Sequence, residues 1–186
     1  MKISFKLSHA DLEHFREVML RAREAAKGKS TTEIVEKATE LLGEVNRSET
    51  SDFIRERMLV LETLIGMVMD QGWGLIEDDR QRVIGALSYF AEAEDLIPDD
   101  IPGLGFLDDA IMIEIVSEEL KHEIQAYRDF VVFRAAEQAR AGSEPEQIER
   151  SDWLETRRQQ LHSRMRLRRK KGDESSGGGR SLFSLF

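Results

Sequence analysis

The chain has 186 residues, with 27 Lys or Arg against 36 Asp or Glu and a formal net charge of −9, which fits one globular domain large enough to bury a core. It contains no cysteine, and this excludes disulfides, thiolate zinc sites, iron–sulfur clusters and cysteine nucleophiles. The most apolar run, Met58 to Met69, is interrupted by Glu62 and is too short to cross a bilayer. Because the first residues also lack the apolar stretch of a secretory signal, we expect a soluble cytoplasmic protein.

Apolar residues recur at helical spacing along most of the chain, which predicts an all-α, compact multi-helix fold. The pairs Ser8–Asp11 and Ser30–Glu33 have capping-box spacing and mark the starts of two helices. In chain order, we predict helices over about 9–27, 31–43, 51–70 and 78–93, followed by one of roughly thirty residues from about Asp108. The third of these has a broad apolar face and is expected at the centre of the core.

Charge is distributed unevenly. Residues 157–186 hold nine of the 27 basic residues and two of the 36 acidic ones, which leaves 18 basic and 34 acidic residues in 1–156. Pro145 suits the first turn of a further helix, and a Gly/Ser-rich stretch follows Lys171. We therefore divide the chain into a helical domain over 1–142, a basic amphipathic helix over 143–171, and a flexible tether with an apolar terminal peptide over 172–186. The opposed charges suggest two roles, or a tail that lies on its own body.

The segment 95–110 reads Asp-Leu-Ile-Pro-Asp-Asp-Ile-Pro-Gly-Leu-Gly-Phe-Leu-Asp-Asp-Ala. It resembles the hallmark motif of the YkvA-type domain of unknown function, a small bacterial helical domain, and the resemblance extends over about Val83 to Phe130. The resemblance implies a helical fold and no particular activity. Relatives often have strongly apolar helices beside the motif, whereas this chain has glutamates there.

The motif residues can be explained as a rigid corner between helices. Prolines hold the residues before them in extended backbone, and glycines allow turns that a side chain would block. Asp108 or Asp109 is expected to cap the long helix. The corner residues are Asp95, Pro98, Asp99, Pro102, Gly105, Asp108 and Asp109. The alternative is a hard divalent cation, magnesium or calcium, held by Asp95, Asp99, Asp108 and Asp109, although the spacing does not fit an EF-hand loop.

Sequence motifs for catalysis are missing. No Gly-x-Ser-x-Gly, Ser-x-x-Lys or phosphate-binding glycine loop occurs, so no catalytic residue and no cofactor are predicted. Glu119 and His122 have the Glu-x-x-His spacing of di-iron bundles. His122 lies about 200° around the helix from the core residue Leu120, which favours a solvated histidine over a metal ligand.

The basic run from Arg157 to Lys171 has two interpretations. In the first, the run is the solvated end of a helix, whose cations interact favourably with the negative end of the helix dipole and with the acidic body. In the second, the cations bind the phosphates of nucleic acid or of an anionic lipid surface by counterion release. The residues predicted to bind a polyanion are Arg157, Arg158, Arg164, Arg166, Arg168, Arg169, Lys170 and Lys171.

The last six residues, Ser-Leu-Phe-Ser-Leu-Phe, place two Leu-Phe pairs after a glycine-rich stretch. Exposed apolar side chains of this kind are typical of a docking peptide, and the predicted partner-binding residues are Leu182, Phe183, Leu185 and Phe186. The end of this peptide is similar to bacterial sliding-clamp-binding peptides, although their glutamine is missing. The other interpretations are a tail that folds onto its own body and a signal for turnover.

Together these patterns predict a non-enzymatic cytoplasmic adaptor with an acidic helical scaffold and a docking peptide for a protein partner, for which the sliding clamp is one candidate. The first alternative is binding of nucleic acid or an anionic membrane surface through residues 157–171, with a peripheral location at the membrane or nucleoid. The second is a metal-dependent enzyme that uses the Asp95–Asp109 cluster.

Overall fold

The computed structural model describes residues 8–91, 97, 101, 105–141 and 152–175. This part of the chain contains α-helices and one 3₁₀ helix and no strand, which confirms the all-α prediction. The helices are α1 (His9–Ala25), α2 (Thr31–Arg47), α3 (Asp52–Met69), α4 (Glu77–Leu87), the 3₁₀ helix Ser88–Ala91, α5 (Leu107–Glu119), α6 (Lys121–Ala141) and α7 (Asp152–Ser175).

Both predicted capping boxes are present. The Ser8 hydroxyl accepts a hydrogen bond from the backbone amide of Asp11, and the Asp11 carboxylate accepts one from the amide of Ser8. Ser30 and Glu33 make the same reciprocal pair at the start of α2. Two of the amides that a helix start leaves without partners are satisfied at each site, so local sequence alone determines where α1 and α2 begin.

Helix α3 occupies the centre of the core, as predicted, and packs against α2, α4, α5 and α6. Its residues Leu61, Leu64 and Met67 are fully buried. At Gly66 the neighbouring helix comes close, since an added Cβ would lie 3.2 Å from the Tyr127 hydroxyl. The absence of a side chain at Gly66 therefore lets α6 pack directly on the α3 backbone.

Two predicted helix ends are wrong. Helix α2 continues past Gly43 to Arg47, because a glycine inside a helix costs only about 1 kcal/mol and the buried Val45 gains more by packing. Helix α7 continues past Lys171 to Ser175, so residues 172–175 are helical and are not part of a tether. Residues 176–186, with the predicted docking peptide, lie outside the described residues.

The single long helix predicted after the motif is also wrong. Leu120, with φ −101° and ψ 18°, separates α5 from α6. The amide of Leu120 still donates to Val116 and its carbonyl still accepts from Ile124, so the break costs no hydrogen bond at these positions. Because Leu120 is fully buried, the apolar stripe runs on through the break, and periodicity alone does not reveal it. The break lets α5 pack on α3 while α6 packs along α7.

The start of α5 differs from the predicted cap. The N-cap residue is Phe106, in the left-handed region at φ 63°, and its side chain is buried and makes no capping hydrogen bond. Asp108 and Asp109 lie in the first turn of the helix, where their charges complement the helix dipole. The Asp108 carboxylate accepts a hydrogen bond of 3.1 Å from the backbone amide of Ile97. Asp108 therefore ties the corner to α5, and the residue in the left-handed region is Phe106.

Within the described ranges, no helix has both the length and the apolar character needed to cross a membrane.

The position of α3 predicts its sensitivity to truncation. Leu64→Ala should lower the free energy of unfolding by about 2–5 kcal/mol, because it removes a fully buried side chain and leaves a cavity. Leu59→Ala on the same helix is the control, since Leu59 is 60% exposed and its loss should change stability by about 0.5 kcal/mol or less. Urea denaturation of both variants checks this, and equal losses would contradict the central placement of α3.

Candidate functional site

Helix α7 packs antiparallel along α6. The guanidinium of Arg157 lies 5.2 Å from the centre of the Phe133 ring, Arg164 pairs with Asp129 at 3.0 Å, and Gly172 approaches His122. On the same helix, α7 buries Leu154, Leu161 and Met165 against the body. The helix is therefore part of the folded body and carries a buried apolar face of its own.

A buried ion cluster joins α4, α6 and α7. Asp79 on α4 and Glu123 on α6 are both fully buried. The Nη1 atom of Arg169 lies 2.7 Å from Asp79 Oδ1 and 2.8 Å from Glu123 Oε1. Arg82 adds a second guanidinium, 3.4 Å from Glu123 and 3.7 Å from Glu119. Carboxylates buried to this extent require paired cations, so α7 supplies a charge without which this part of the core is unstable.

The segment 70–76, here called the tryptophan loop, fills the space between α3, α6 and α7. Trp73 is fully buried, with its indole centre 5.1 Å from the Phe130 ring and 4.1 Å from the His162 ring. The indole and imidazole planes are stacked at 21°, and His162 Nε2 lies 3.2 Å from the Trp73 carbonyl oxygen. His162 therefore contacts both the ring and the backbone of Trp73.

Asp70 anchors the start of the tryptophan loop. Its carboxylate accepts two hydrogen bonds from the Arg134 guanidinium, at 2.9 and 2.7 Å, one from the Tyr127 hydroxyl and one from the amide of Trp73. Burial is the largest single effect and opposes ionisation, but the hydrogen bonds and charge of Arg134, together with the bonds from the Trp73 amide and the Tyr127 hydroxyl, outweigh it, so the pKa of Asp70 lies below its ordinary value. Burial and the adjacent Asp70 charge raise the pKa of Tyr127 to about 12. The aspartate is therefore ionised and the tyrosine is neutral at physiological pH.

The other end of the tryptophan loop is bound by α7. Arg158 donates a hydrogen bond of 3.1 Å to the carbonyl of Gly72 and also pairs with Glu155 on its own helix. Gly74 lies beside that guanidinium and has φ +55°, a conformation that favours glycine. The loop is thus held between α6, which binds the Asp70 carboxylate, and α7, which binds the backbone carbonyls of Gly72 and Trp73.

The predicted polyanion-binding residues divide into two groups. Arg157, Arg158, Arg164 and Arg169 contact the body through the pairs described above, and Arg166 is half-buried. The residues Arg168, Lys170 and Lys171 are exposed, next to Leu167, which is 61% exposed. About half of the basic run therefore lies on its own acidic body, as one of the two interpretations predicted.

The predicted corner is only partly described. Gly105, Asp108 and Asp109 are buried, whereas Asp95, Pro98, Asp99 and Pro102 lie outside the described residues. In the ranges that the structure covers, no three His, Asp or Glu side chains are placed to hold a metal ion together. The helix break at Leu120 separates Glu119 from His122, so their Glu-x-x-His spacing does not lie on one helix.

Several residues of this interface were missed from the sequence. Glu123 follows Leu120 by three positions and precedes Tyr127 by four, and Asp79 precedes Val83 by four, so both lie on core-facing stripes. His162 follows Leu161 and precedes Met165 by three. Polar residues at positions that face the core could have indicated a buried polar interface, because buried charges are rare unless they are paired.

Comparison with known families gives one match. Residues 81–115 match the model of a family described as Protein of unknown function (DUF1232), which is consistent with the resemblance of the motif to the YkvA-type domain of unknown function. The matched segment runs from α4 through the corner into α5. No match to the chain was found among curated proteins or among solved structures.

The ion cluster predicts different roles for two neighbouring arginines. Arg169→Met should lower the free energy of unfolding by about 3–5 kcal/mol, because it leaves Asp79 and Glu123 buried beside Arg82 alone. Arg168→Met is the matched control and should change stability by about 0.5 kcal/mol or less, since Arg168 is exposed. Chemical denaturation at neutral pH measures both, and a small effect of Arg169→Met would contradict the role assigned to the cluster.

Proposed function

We propose that the chain is a non-enzymatic interaction protein, in which the helical body displays a docking peptide that contains Leu182, Phe183, Leu185 and Phe186. The observation that carries this proposal is the attachment of α7 to the body through Arg158, Arg169 and three buried apolar residues. Since α7 ends at Ser175, the six residues 176–181 separate the peptide from a rigid support. A Gly/Ser-rich segment of that length reaches roughly 13 Å on average.

The chemistry of the peptide suits a weak, reversible contact. Each Leu or Phe side chain that enters a pocket contributes roughly 1.5–3 kcal/mol before the cost of ordering the segment. A partner with a hydrophobic pocket beside the exposed cations of α7 would also gain long-range attraction if its surface is acidic. A bacterial sliding clamp is one such candidate, because the peptide is similar to the peptides that bind it.

The docking proposal predicts a loss of binding when the aromatic side chains are shortened. In the full chain, Phe183→Ala with Phe186→Ala should weaken binding to a purified sliding clamp at least tenfold, because two buried rings are lost. Fluorescence anisotropy of labelled protein measures this, and a peptide of residues 180–186 should compete. Leu59→Ala and Leu167→Ala are the controls, since both remove an exposed leucine elsewhere.

If the clamp does not bind, the partners retained by the full chain and by the double variant decide the wider proposal. A specific partner that is lost with the double variant, and displaced by the peptide, would support docking. An identical set of partners for both proteins would contradict it.

Binding of a polyanion is the second candidate function. It is favoured by the exposure of Arg168, Lys170 and Lys171 on one helix together with the exposed Leu167. The cations would contact phosphates of nucleic acid or of an anionic lipid headgroup, and the leucine would enter the boundary region of a membrane.

The second candidate predicts a salt-dependent affinity. Changing Arg168, Lys170 and Lys171 to Gln should reduce the slope of log K against log salt for duplex DNA by about three, because three phosphate contacts are lost. Changing Lys37, Arg55 and Lys121 to Gln gives the same charge difference at exposed positions on other helices. Vesicles with and without anionic phospholipid form the parallel experiment. Equal slopes for the two triple variants would contradict this function.

A further inference from the structure

We propose that mild acidification weakens the docking of α7 and increases its transient release from the body, because a neutral His162 imidazole holds α7 against the tryptophan loop better than a protonated one does. This inference concerns the fold itself and does not depend on which partner the chain binds. The released state would expose the face of α7 that carries Leu161, Met165 and Arg169.

The first argument is the hydrogen bonding of the His162 ring. A carbonyl oxygen only accepts hydrogen bonds, so the contact of 3.2 Å between His162 Nε2 and the Trp73 carbonyl requires the proton on Nε2. In the neutral ring Nδ1 then carries a lone pair and no hydrogen. Nδ1 is buried and has no hydrogen-bond partner among the described residues. A second proton would therefore create a buried N–H donor without an acceptor, which is costly.

The second argument is the charge around His162. Burial disfavours the cation most, while the Trp73 carbonyl and the Asp79 carboxylate from α4 favour it. Arg166 and Arg158, both on α7, add repulsion, and the net result is a pKa below the ordinary value of histidine. Asp79 is already paired with Arg169. The indole face stacked on His162 attracts cations and opposes this lowering.

A second histidine lies near the other end of α7. His122 on α6 faces Gly172, where an added Cβ would lie 3.8 Å from the ring nitrogen Nε2. Burial lowers the pKa of His122, Glu123 opposes this, and Lys121, Arg168 and Arg169 add to the lowering. Both histidines that contact the α6–α7 interface therefore favour the neutral form while α7 is docked.

The sign of the pH dependence follows from these directions. A histidine whose pKa is depressed in the docked state stabilises docking fully above its free pKa of about 6.5, and this contribution decreases as the pH falls below that value. Between pH 7.5 and 5.5, each histidine can raise the equilibrium constant for release by at most about tenfold. His162 should dominate, because it is 5% exposed and stacked on Trp73.

Hydrogen exchange of the full chain tests the proposal. After correction for the intrinsic exchange rate, amides of α7 should exchange severalfold faster at pH 5.5 than at pH 7.5, while amides of the central helix α3 keep their protection. His162→Phe keeps an aromatic ring against Trp73 but cannot take up a proton, so the pH dependence of exchange from α7 should fall to the smaller part that His122 contributes. His14→Gln is the matched control, because His14 is exposed on α1, and it should behave like the parent.

A fluorescence titration gives a second measurement. The chain has two tryptophans, so Trp153→Phe leaves Trp73 as the single reporter, and its emission should shift to the red as α7 leaves. Equal pH dependence of α7 exchange in His162→Phe and the parent would overturn the proposal, and so would α3 amides losing protection together with α7. If His162→Phe does not fold, hydrogen exchange is compared between the parent and His122→Gln. Exchange rates of the α7 amides that do not change with pH in either protein would overturn the proposal.

Discussion

The charge of Arg169 between Asp79 and Glu123 is the interaction on which the arrangement of α4, α6 and α7 depends. Two carboxylates that are fully buried require a counter-charge, and the cation that contacts both of them comes from a helix more than forty residues further along the chain. Replacing buried ion pairs by apolar residues is often neutral or stabilising. The cluster is therefore best understood as fixing the register of α7 on the body, while apolar burial supplies the stability.

The placement of α7 explains why an acidic part of the chain, residues 1–156, is followed by a basic part, residues 157–186. The acidic part of the chain uses Asp79, Glu123 and Asp129 to hold the basic helix, so some of the opposite charges neutralise each other within the fold. The exposed cations Arg168, Lys170 and Lys171 lie together near the end of α7. One helix thus combines a structural face with a face that is available to other molecules.

Local signals in the sequence predicted the parts of the fold that depend on neighbouring residues. The capping boxes at Ser8 and Ser30 and the apolar face of α3 needed only short-range spacing. The corner was predicted with the wrong cap, because Asp108 binds the Ile97 amide across the turn. The partners of Asp79 and Glu123 could not be predicted, since no spacing rule connects residues on three separate helices. The burial of Asp79 and Glu123 could have been predicted, because both residues lie on apolar stripes of their helices.

The break at Leu120 has a consequence for changes in chain length. Each residue turns an α-helix by about 100°, so one inserted or deleted residue at this break would rotate the whole of α6 relative to α5. Glu123 and Asp129 would then point away from α7, and Tyr127 away from Gly66, although no side chain had been replaced. The segment from Leu107 to Ala141 should therefore accept many substitutions more readily than a single change in its length.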